Sequence, residues 1–240
     1  MISYAGNQED VVLARLFTGS GLRGPNAETG FYVDVGAGHP VIDSVTHHFY
    51  EHGWRGLNVQ PLSDVHALLC EHRPRDRCVQ AMVSDPGTAG VRSVRLSEVL
   101  ADNEVDRIDF LRIAARGAES KIVDDTDWAR IRPRVLVVAV EDGSPSALAL
   151  LDAGYTCTLF DGVNRFYAET RDTEAIAALS VPANVRDGAR PHRWVEQVEM
   201  LEEERESVRW EVARLAVELR AMGQRADPAG LLLADAASAD

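Results

Sequence analysis

The chain has 240 residues, of which 45% are apolar and 26% charged, and its net charge is −13. This is the composition of a globular protein with a sizeable core, which excludes a disordered or fibrous chain. The acidic balance and the lack of any Lys- or Arg-rich run exclude a nucleic-acid-binding surface as the main function.

Short apolar runs alternate with amphipathic helical stretches from Phe31 onward, which is typical of βαβ units and a parallel sheet. Strands are predicted over residues 31–35, 56–60, 78–83, 108–113, 135–140, 157–162 and 165–169. The run "VLVVAV" is almost continuously apolar, which indicates a strand in the sheet interior. Because only a few turn residues, "DGVN", separate the last two strands, these strands form a hairpin. We expect a mostly parallel α/β sheet with one antiparallel hairpin at its end.

Amphipathic stretches between the strands predict the helices. They cover "NQEDVVLARLF" before the first strand, then "VTHHFYEH", "LSDVHALLCEH", "SEVLAD" and "SPSALALLDAG". Gly154 follows the last periodic residue of the final stretch, as a left-handed C-cap requires. A further helix start follows the strand 108–113.

A heptad pattern begins at Trp194 and sets the C-terminal part of the chain apart. Apolar residues lie seven apart at Trp194, Leu201, Val208, Leu215 and Met222, interleaved with Val198, Arg205, Val212 and Leu219. This spacing predicts a coiled-coil helix over residues 191–225, after an α/β domain over 1–190 and before a flexible tail over 226–240. A parallel homodimer, an antiparallel pair and a partner protein's helix all fit the pattern. Self-association, as a homo-oligomer, is the leading interpretation.

The stretch "GFYVDVGAGHPVIDSV", residues 30–45, carries the best local signal for a ligand. A strand containing Asp34 runs into the small-residue turn Gly36-Ala37-Gly38, and glycines let the backbone approach a ligand closely. A plain structural turn explains the spacing equally well. The next strand ends at Gln60, where a nucleotide-binding fold of this kind usually has an acid for the ribose.

Six stretches, taken together, resemble the FkbM-like family of S-adenosylmethionine (SAM)-dependent methyltransferases. They are "SYAGNQEDVVL", "GFYVDVGAGHPVIDSVTHHFYEHGWRGLNVQP", "DFLRIAARGAES", "RPRVLVVAVE", "GYTCTLFDGVNRFY" and "VPANVRD", in the family's order over residues 2–187. The resemblance implies a class I (Rossmann-like) methyltransferase fold with seven strands and SAM as cofactor. It also implies methyl transfer to a hydroxyl group of a glycan or secondary metabolite.

The resemblance also implies where SAM would bind. The turn Gly36-Ala37-Gly38 and Asp34 would hold its methionine part, position 60 the ribose, and Asp85 the adenine side. Gln8 and Glu9, in the opening motif, would lie near the site. At the rim, the family's pattern has acids at four positions that are Gln60, Ala114, Arg116 and Ala139 here. Strand carboxyl ends line the ligand crevice of such sheets, so we expect these four positions to surround one crevice.

Loss of the rim acids changes both cofactor binding and catalysis. Charge-assisted hydrogen bonds are worth about 1.5–3 kcal/mol each and neutral ones less, so Gln60 predicts weaker SAM binding. A general base contributes roughly 10²–10⁴-fold to rate, and His39, Glu141 and Asp142 are the candidates to replace the missing acid. For His39, packing within the loop before Pro40 is the alternative role.

Three further residues are candidates for substrate contact. Arg116 is a cation at the predicted rim, and it either binds a ligand phosphate or carboxylate or neutralises a nearby acid, namely Asp109, Glu119 or Asp142. The resemblance implies that Arg165 and Tyr167 border the acceptor site. Asp161 and Asn164 fit a turn for local reasons, because both side chains bond backbone groups.

Metal and disulfide chemistry are not indicated by the pattern of His and Cys. His48 and His52 have the i, i+4 spacing of zinc ligands, but no third ligand follows at suitable spacing. Cys70, Cys78 and Cys157 form no CxxC pair and favour a reducing compartment. The chain start lacks the features of a secretion signal and no window approaches 18 apolar residues, so we expect a cytoplasmic protein without a membrane partner.

Two functions follow from the sequence. The leading hypothesis is a SAM-dependent O-methyltransferase acting on a small-molecule or glycan hydroxyl. The alternative is an inactive or repurposed relative that serves as a scaffold or catalyses another reaction.

Overall fold

A computed structural model describes residues 1–17, 29–83 and 93–221. The chain divides into two compact units, Met1–His192 and Arg193–Asp240. Within the described residues, no helix is long and apolar enough to cross a membrane.

The first unit is built on a seven-stranded sheet with the order β4-β3-β2-β7-β8-β10-β9. Its strands are β2 (Phe31–Val35), β3 (Arg55–Val59), β4 (Arg77–Val79), β7 (Phe110–Ile113), β8 (Val135–Val138), β9 (Tyr155–Phe160) and β10 (Arg165–Glu169). Only β10 runs against the others, and it lies between β8 and β9, antiparallel to both. This confirms the predicted mostly parallel seven-stranded α/β sheet with one antiparallel hairpin at its end.

Alternation along the central strands divides their side chains between two apolar cores. Val33, Leu111 and Leu136 belong to one buried cluster, whereas their neighbours Tyr32, Phe110 and Val135 belong to the second. Successive side chains of a strand point to opposite faces, so the two clusters cover the two faces of the sheet. All four residues of β8 are fully buried, as its continuous apolar run predicts.

Helices connect the strands, and several have identifiable ends. They are α1 (Glu9–Phe17), α2 (His47–Glu51), α3 (Ser63–His72), α4 (Leu96–Asp102), α5 (Glu119–Asp124), α6 (Pro145–Asp152) and α7 (Thr173–Leu179), with a 3-10 turn at Val185–Asp187. The Ser144 hydroxyl caps α6 by accepting a hydrogen bond from the Ala147 amide. After α6, Gly154 takes a φ of +87°, which confirms the predicted left-handed cap.

The structure corrects several sequence-based boundaries. The predicted strand 78–83 is two separate strands, because β4 ends at Val79 and β5 (Met82–Val83) pairs instead with β6 (Ser93–Val94). The predicted strand 157–162 ends at Phe160, because the Asp161 carboxylate accepts the amides of Val163 and Asn164 and turns the chain. Helix α7 has no counterpart in the sequence prediction.

A short two-stranded sheet closes the first unit. Strand β1 (Ile2–Ser3) pairs in parallel with β11 (Arg190–Pro191). Nearby, the Arg15 guanidinium makes two bonds to the Asp187 carboxylate, at 2.7 and 2.6 Å. This ion pair lowers the pKa of Asp187 through the hydrogen bonds from Arg15.

Helix α8 (His192–Ala221) is 30 residues long and contains no buried residue. The predicted helix is therefore present, and its assembly with another helix stays a prediction. Met222 and the predicted flexible tail over 226–240 lie outside the described residues.

Candidate cofactor-binding site

The carboxyl ends of β2, β3 and β7 surround a cavity of about 300 Å³. This volume is at the lower end of the range for small-molecule sites. The described wall consists of Val35, Gly36, Gly38, Val59, Gln60, Pro61, Leu62, Ala81, Met82, Val83, Ala114, Ala115, Arg116 and Ala118. The predicted glycine turn and three of the four altered rim positions therefore meet at one cavity, as expected. Ala139 is exposed and is not among these wall residues.

The glycine turn needs its glycines for two different reasons. Gly36 has a φ of +82°, and a Cβ atom there would lie 2.1 Å from the carbonyl oxygen of Ala114. Gly38 has a φ of +68°, but an added Cβ would meet no atom closer than 4.0 Å. Gly36 is therefore required because the end of β2 lies against the loop after β7. A side chain at position 38 would instead enter open space.

Part of the turn's hydrogen-bonding capacity is used within the protein. The amides of Gly36 and Ala37 both donate to the Val59 carbonyl, at 2.8 and 3.3 Å. Ala37 is buried and lies behind the wall. Within the described part of the chain, no protein group accepts from the Gly38 amide, so this amide is free to donate to a ligand.

Gln60 brings a neutral amide to the cavity. Its backbone amide donates to the Val79 carbonyl at 3.0 Å, and its side-chain Oε1 accepts from the Leu62 amide at 2.9 Å. The side chain is therefore held against the start of α3. It cannot supply the charge that a carboxylate would offer to a ribose.

Arg116 is the only charged residue among the wall residues that the structure describes. It has a φ of +49° and an exposed side chain. The three acids predicted to neutralise it bond to other groups: Asp109 to Arg107, Asp142 to Arg165, and Glu119 to the Gly117 amide. The salt-bridge alternative for Arg116 is therefore wrong for the conformation seen here.

Asp34 does not reach the cavity surface. Its carboxylate is fully buried, and its Oδ1 accepts from Arg112 at 2.9 Å across the neighbouring strands β2 and β7. Within the described residues, the other oxygen, Oδ2, has no partner. Burial disfavours the Arg112 cation, but the Asp34 and Glu9 carboxylates outweigh burial and raise the pKa of Arg112. The contact of Asp34 with the methionine part of SAM stays a prediction.

The opening motif contacts the hairpin rather than the cavity. The carbonyl of Gln8, which has a φ of +61°, accepts from the Val11 amide at 3.1 Å at the start of α1. The Glu9 carboxylate accepts from Asn164 Nδ2 at 2.8 Å, and burial raises its pKa. Neither residue is part of the described cavity wall, and the cofactor contact of Gln8 stays a prediction.

The three candidate bases lie away from the described wall. His39 Nδ1 accepts the amides of Val41 and Ile42, at 3.1 and 2.9 Å, so its proton resides on Nε2. This bonding uses the lone pair that a base needs and matches the loop-packing alternative. Glu141 and Asp142 are exposed beyond the end of β8, and Asp142 Oδ1 lies 3.5 Å from Arg165.

The predicted acceptor contacts differ in accessibility. The Arg165 Nε donates to the Val140 carbonyl at 3.0 Å, and its guanidinium is partly exposed beside Asp142. Tyr167 is only 1% exposed, and burial raises its pKa to about 12. Core residues cover the Tyr167 ring, and its contact with an acceptor stays a prediction. Asp85 lies outside the described residues.

Sequence reasoning missed two sets of residues. One is the apolar wall formed by Pro61, Leu62, Ala81 and Met82, which follows strands whose ends were misplaced. The other is Arg112, the partner of Asp34. The available signal was a charge, Asp34 and Arg112, inside each of two largely apolar strands, because buried charges need opposite partners.

Comparison with known proteins gives similarity in fold only. No protein-family model matches the chain, and a search of curated proteins finds no match. Among solved structures, Aeropyrum pernix fibrillarin with natively bound S-adenosyl-L-methionine is 16% identical, covering 67% of this chain and 76% of its own, with a TM-score of 0.41. Geobacter metallireducens precorrin-6y C5,15-methyltransferase is 16% identical, with coverages of 67% and 87% and a TM-score of 0.42. Burkholderia thailandensis 1,6-didemethyltoxoflavin-N1-methyltransferase is 14% identical, with coverages of 70% and 79% and a TM-score of 0.40.

Proposed function

We propose that the protein binds SAM and transfers its methyl group to a hydroxyl of a glycan or secondary metabolite, as a divergent FkbM-like enzyme. The observation that carries the proposal is the turn Gly36-Ala37-Gly38 at the carboxyl end of β2, opening on a cavity bounded by Gln60. Ligands of open α/β sheets bind outside these strand ends. The family's motif order along residues 2–187 supports the same function.

The wall chemistry fits the nucleoside part of SAM. Val59, Leu62 and Met82 provide apolar surface for an adenine ring, and the Gln60 amide provides a neutral hydrogen-bonding group for the ribose. The Gly38 amide can donate to the methionine part. Each neutral bond to the ribose contributes about 0.5–1.5 kcal/mol, which is less than a carboxylate would give, so we expect modest affinity.

SAM would supply a reactive methyl sulfonium, and the protein's main task would be to align an acceptor with it. No carboxylate belongs to the described wall, so proton removal from the acceptor falls to groups outside it. Glu141 and Asp142 stand at the same edge of the sheet, after β8. They are the candidates for this step.

A second function is favoured by the charge of the wall. Arg116 and the lack of described wall carboxylates suit a ligand that is less cationic than SAM. Under this alternative the fold has lost methyl transfer and serves as a scaffold or acts on another ligand.

Calorimetric titration of the full chain with SAM and S-adenosylhomocysteine separates the two functions. The methyltransferase proposal predicts saturable one-site binding of both, and tighter binding by the double variant Gln60→Glu with Ala114→Asp. Gln80→Glu, which alters an exposed glutamine outside the described wall, is the matched control and should leave binding unchanged. No binding by either the wild type or the double variant would overturn the proposal in favour of the second function.

A further inference from the structure

Helix α8 presents an apolar seam along its length. The side chains of the seam are between 44% and 58% exposed at Trp194, Val198, Leu201, Val208 and Leu215. A helix of 30 residues is about 45 Å long, and isolated helices gain little stability without packing of an apolar face. A second helix against this seam would remove these side chains from water.

The heptad positions of the seam define which charges flank it. With Val198, Arg205, Val212 and Leu219 at a, the d positions are Trp194, Leu201, Val208 and Leu215. The flanking g positions are then Gln197, Glu204, Glu211 and Glu218, and the e positions are Val195, Glu202, Arg209 and Ala216. The g positions of a coiled coil contact e positions of a parallel partner, five residues further along.

A parallel, in-register pair of α8 helices is complementary in charge. Glu204 of each helix faces the partner's Arg209, which gives two attractive contacts. The other g and e positions pair Gln197 with the partner's Glu202, and Glu211 with the partner's Ala216, so no like charges meet.

An antiparallel pair is less favourable. In the register with complete seam overlap, g positions face g positions, so Glu204 meets the partner's Glu211 on both sides of the pair. Glu202 then meets the partner's Arg209, and these attractive contacts only offset the repulsion. Like-charge pairs cost about as much as opposite pairs contribute.

Arg205 favours the same arrangement. In the parallel pair both Arg205 residues share one layer, and each lies next to the partner's Glu204 on the flank of the seam. In the antiparallel pair each Arg205 instead packs against the partner's Val208, which disturbs two layers. A single charged a position commonly fixes register in this way, at a cost in stability.

We infer that α8 forms a parallel, in-register two-stranded coiled coil with a second copy of this chain, fixed by Glu204–Arg209 pairs and by a shared Arg205 layer. No seam residue is among the cavity wall residues, and the inference does not depend on methyl transfer. It selects a second copy because the charge pattern of α8 complements itself.

Oligomeric state in solution tests the inference. Light scattering after size-exclusion chromatography should give twice the chain mass of 26.3 kDa for the wild type. Val208→Glu places two carboxylates in the seam and should weaken the dimer by about 100-fold or more. Val217→Glu is the matched control, because Val217 is 64% exposed on the opposite side, at an f position, and its replacement should leave the dimer intact.

Circular dichroism of both variants checks that the rest of the protein stays folded. A monomeric wild type, a trimer or tetramer, or equal effects of Val208→Glu and Val217→Glu would overturn the inference. If the wild type is monomeric alone and its mass increases only when a partner protein is added, the seam binds that partner instead of a second copy.

The charge substitution Glu204→Arg tests orientation. In the parallel pair the introduced arginine of each helix faces the partner's Arg209, and these two repulsions should raise the dimer dissociation constant about tenfold. Adding Arg209→Glu should recover most of this loss, because the 204–209 pairs are then attractive again, while each Arg205 keeps the partner's introduced arginine beside it. Tighter dimerisation of the single variant would overturn the parallel arrangement, because in an antiparallel pair the introduced arginine would attract the partner's Glu211.

Discussion

Arg112 and Asp34 form an ion pair across the centre of the sheet, with 2.9 Å between Arg112 Nη1 and Asp34 Oδ1. Asp34 is fully buried, whereas the Arg112 side chain keeps 16% of its exposure. The carboxylate two residues before the glycine turn therefore neutralises a cation of the neighbouring strand. The position of Asp34 in the sequence predicts a cofactor ligand, whereas its contact with Arg112 gives it a structural role.

Replacing Arg112 by Met should destabilise the protein by about 3–5 kcal/mol, because the buried Asp34 carboxylate loses its partner. Arg95→Met is the matched control, since Arg95 is exposed and pairs with an exposed Glu98, and it should cost less than about 1 kcal/mol. Urea unfolding measures both changes. Adding Asp34→Asn to Arg112→Met should recover part of the loss, and equal small losses for the two arginine variants would contradict the prediction.

The two glycines of the turn should respond differently to alanine. Both substitutions strain a positive φ, at about 1–2 kcal/mol each. Gly36→Ala also drives a methyl group into the Ala114 carbonyl, so we expect a total loss of at least about 3 kcal/mol. Thermal unfolding compares the two variants, and a Gly38→Ala loss as large as that of Gly36→Ala would show that the steric reason given for Gly36 is wrong.

Acidification should destabilise the protein through His48. Burial, and then the neighbouring His52, lower the pKa of His48 from 6.5 to about 4. The unfolded chain therefore binds the proton more readily than the folded chain does. The contribution of neutral His48 to the free energy of unfolding is present above pH 6.5 and is lost as pH falls towards 4. We expect His48→Gln to reduce the difference in unfolding free energy between pH 7 and pH 4.5 by about 1–2 kcal/mol.

The control for His48 is His72→Gln, at an exposed position, which should leave the pH dependence unchanged. Asp10 acts in the opposite sense, because burial raises its pKa from 3.8 to about 6. Its contribution is present below pH 3.8 and is lost as pH rises through 6. The pH dependence of the wild-type unfolding free energy is therefore a sum of opposing effects. Comparing His48→Gln with the wild type by urea unfolding at each pH isolates the contribution of His48.

Arg116 should set the preference between SAM and S-adenosylhomocysteine. SAM carries a sulfonium charge that S-adenosylhomocysteine lacks, so a cation on the wall disfavours SAM. Arg116→Glu should increase the affinity for SAM relative to S-adenosylhomocysteine a few-fold, and the exposure of the side chain keeps the effect small. Arg130→Glu, an exposed arginine away from the described wall, is the control in calorimetric titrations. An unchanged ratio for Arg116→Glu would place the ligand away from Arg116.

The strand pattern was predictable because a strand that is buried on both faces consists almost entirely of apolar residues. Val135–Val138 has no polar residue, and the chain reversal at Asp161 and Asn164 depends on local side-chain bonds. The strand at 78–83 was not predictable in full. Its division after Val79 depends on the pairing of Met82–Val83 with the distant Ser93–Val94, and residues 80 and 81 carry no turn signal.

The candidate site was predictable in position but not in detail. The strand order brings Gly38, Gln60 and Arg116 together, and the rule on strand carboxyl ends anticipates this. The orientation of a side chain depends on its partners, and spacing contains no such information. Asp34 turns to Arg112, His39 turns to its own loop, and Tyr167 turns into the core.

The parallel pairing of β1 with β11 has a consequence for folding during synthesis. Ile2 is aligned with Arg190, and the Arg190 amide donates to the Met1 carbonyl at 3.0 Å. The ribosome therefore makes one strand of this pair before the seven-stranded sheet and its partner only after it. Such a contact between distant residues closes late, because the intervening chain must first be ordered. Strand β1 is thus translated before the sheet, yet its hydrogen bonds to β11 are among the last of this unit to form.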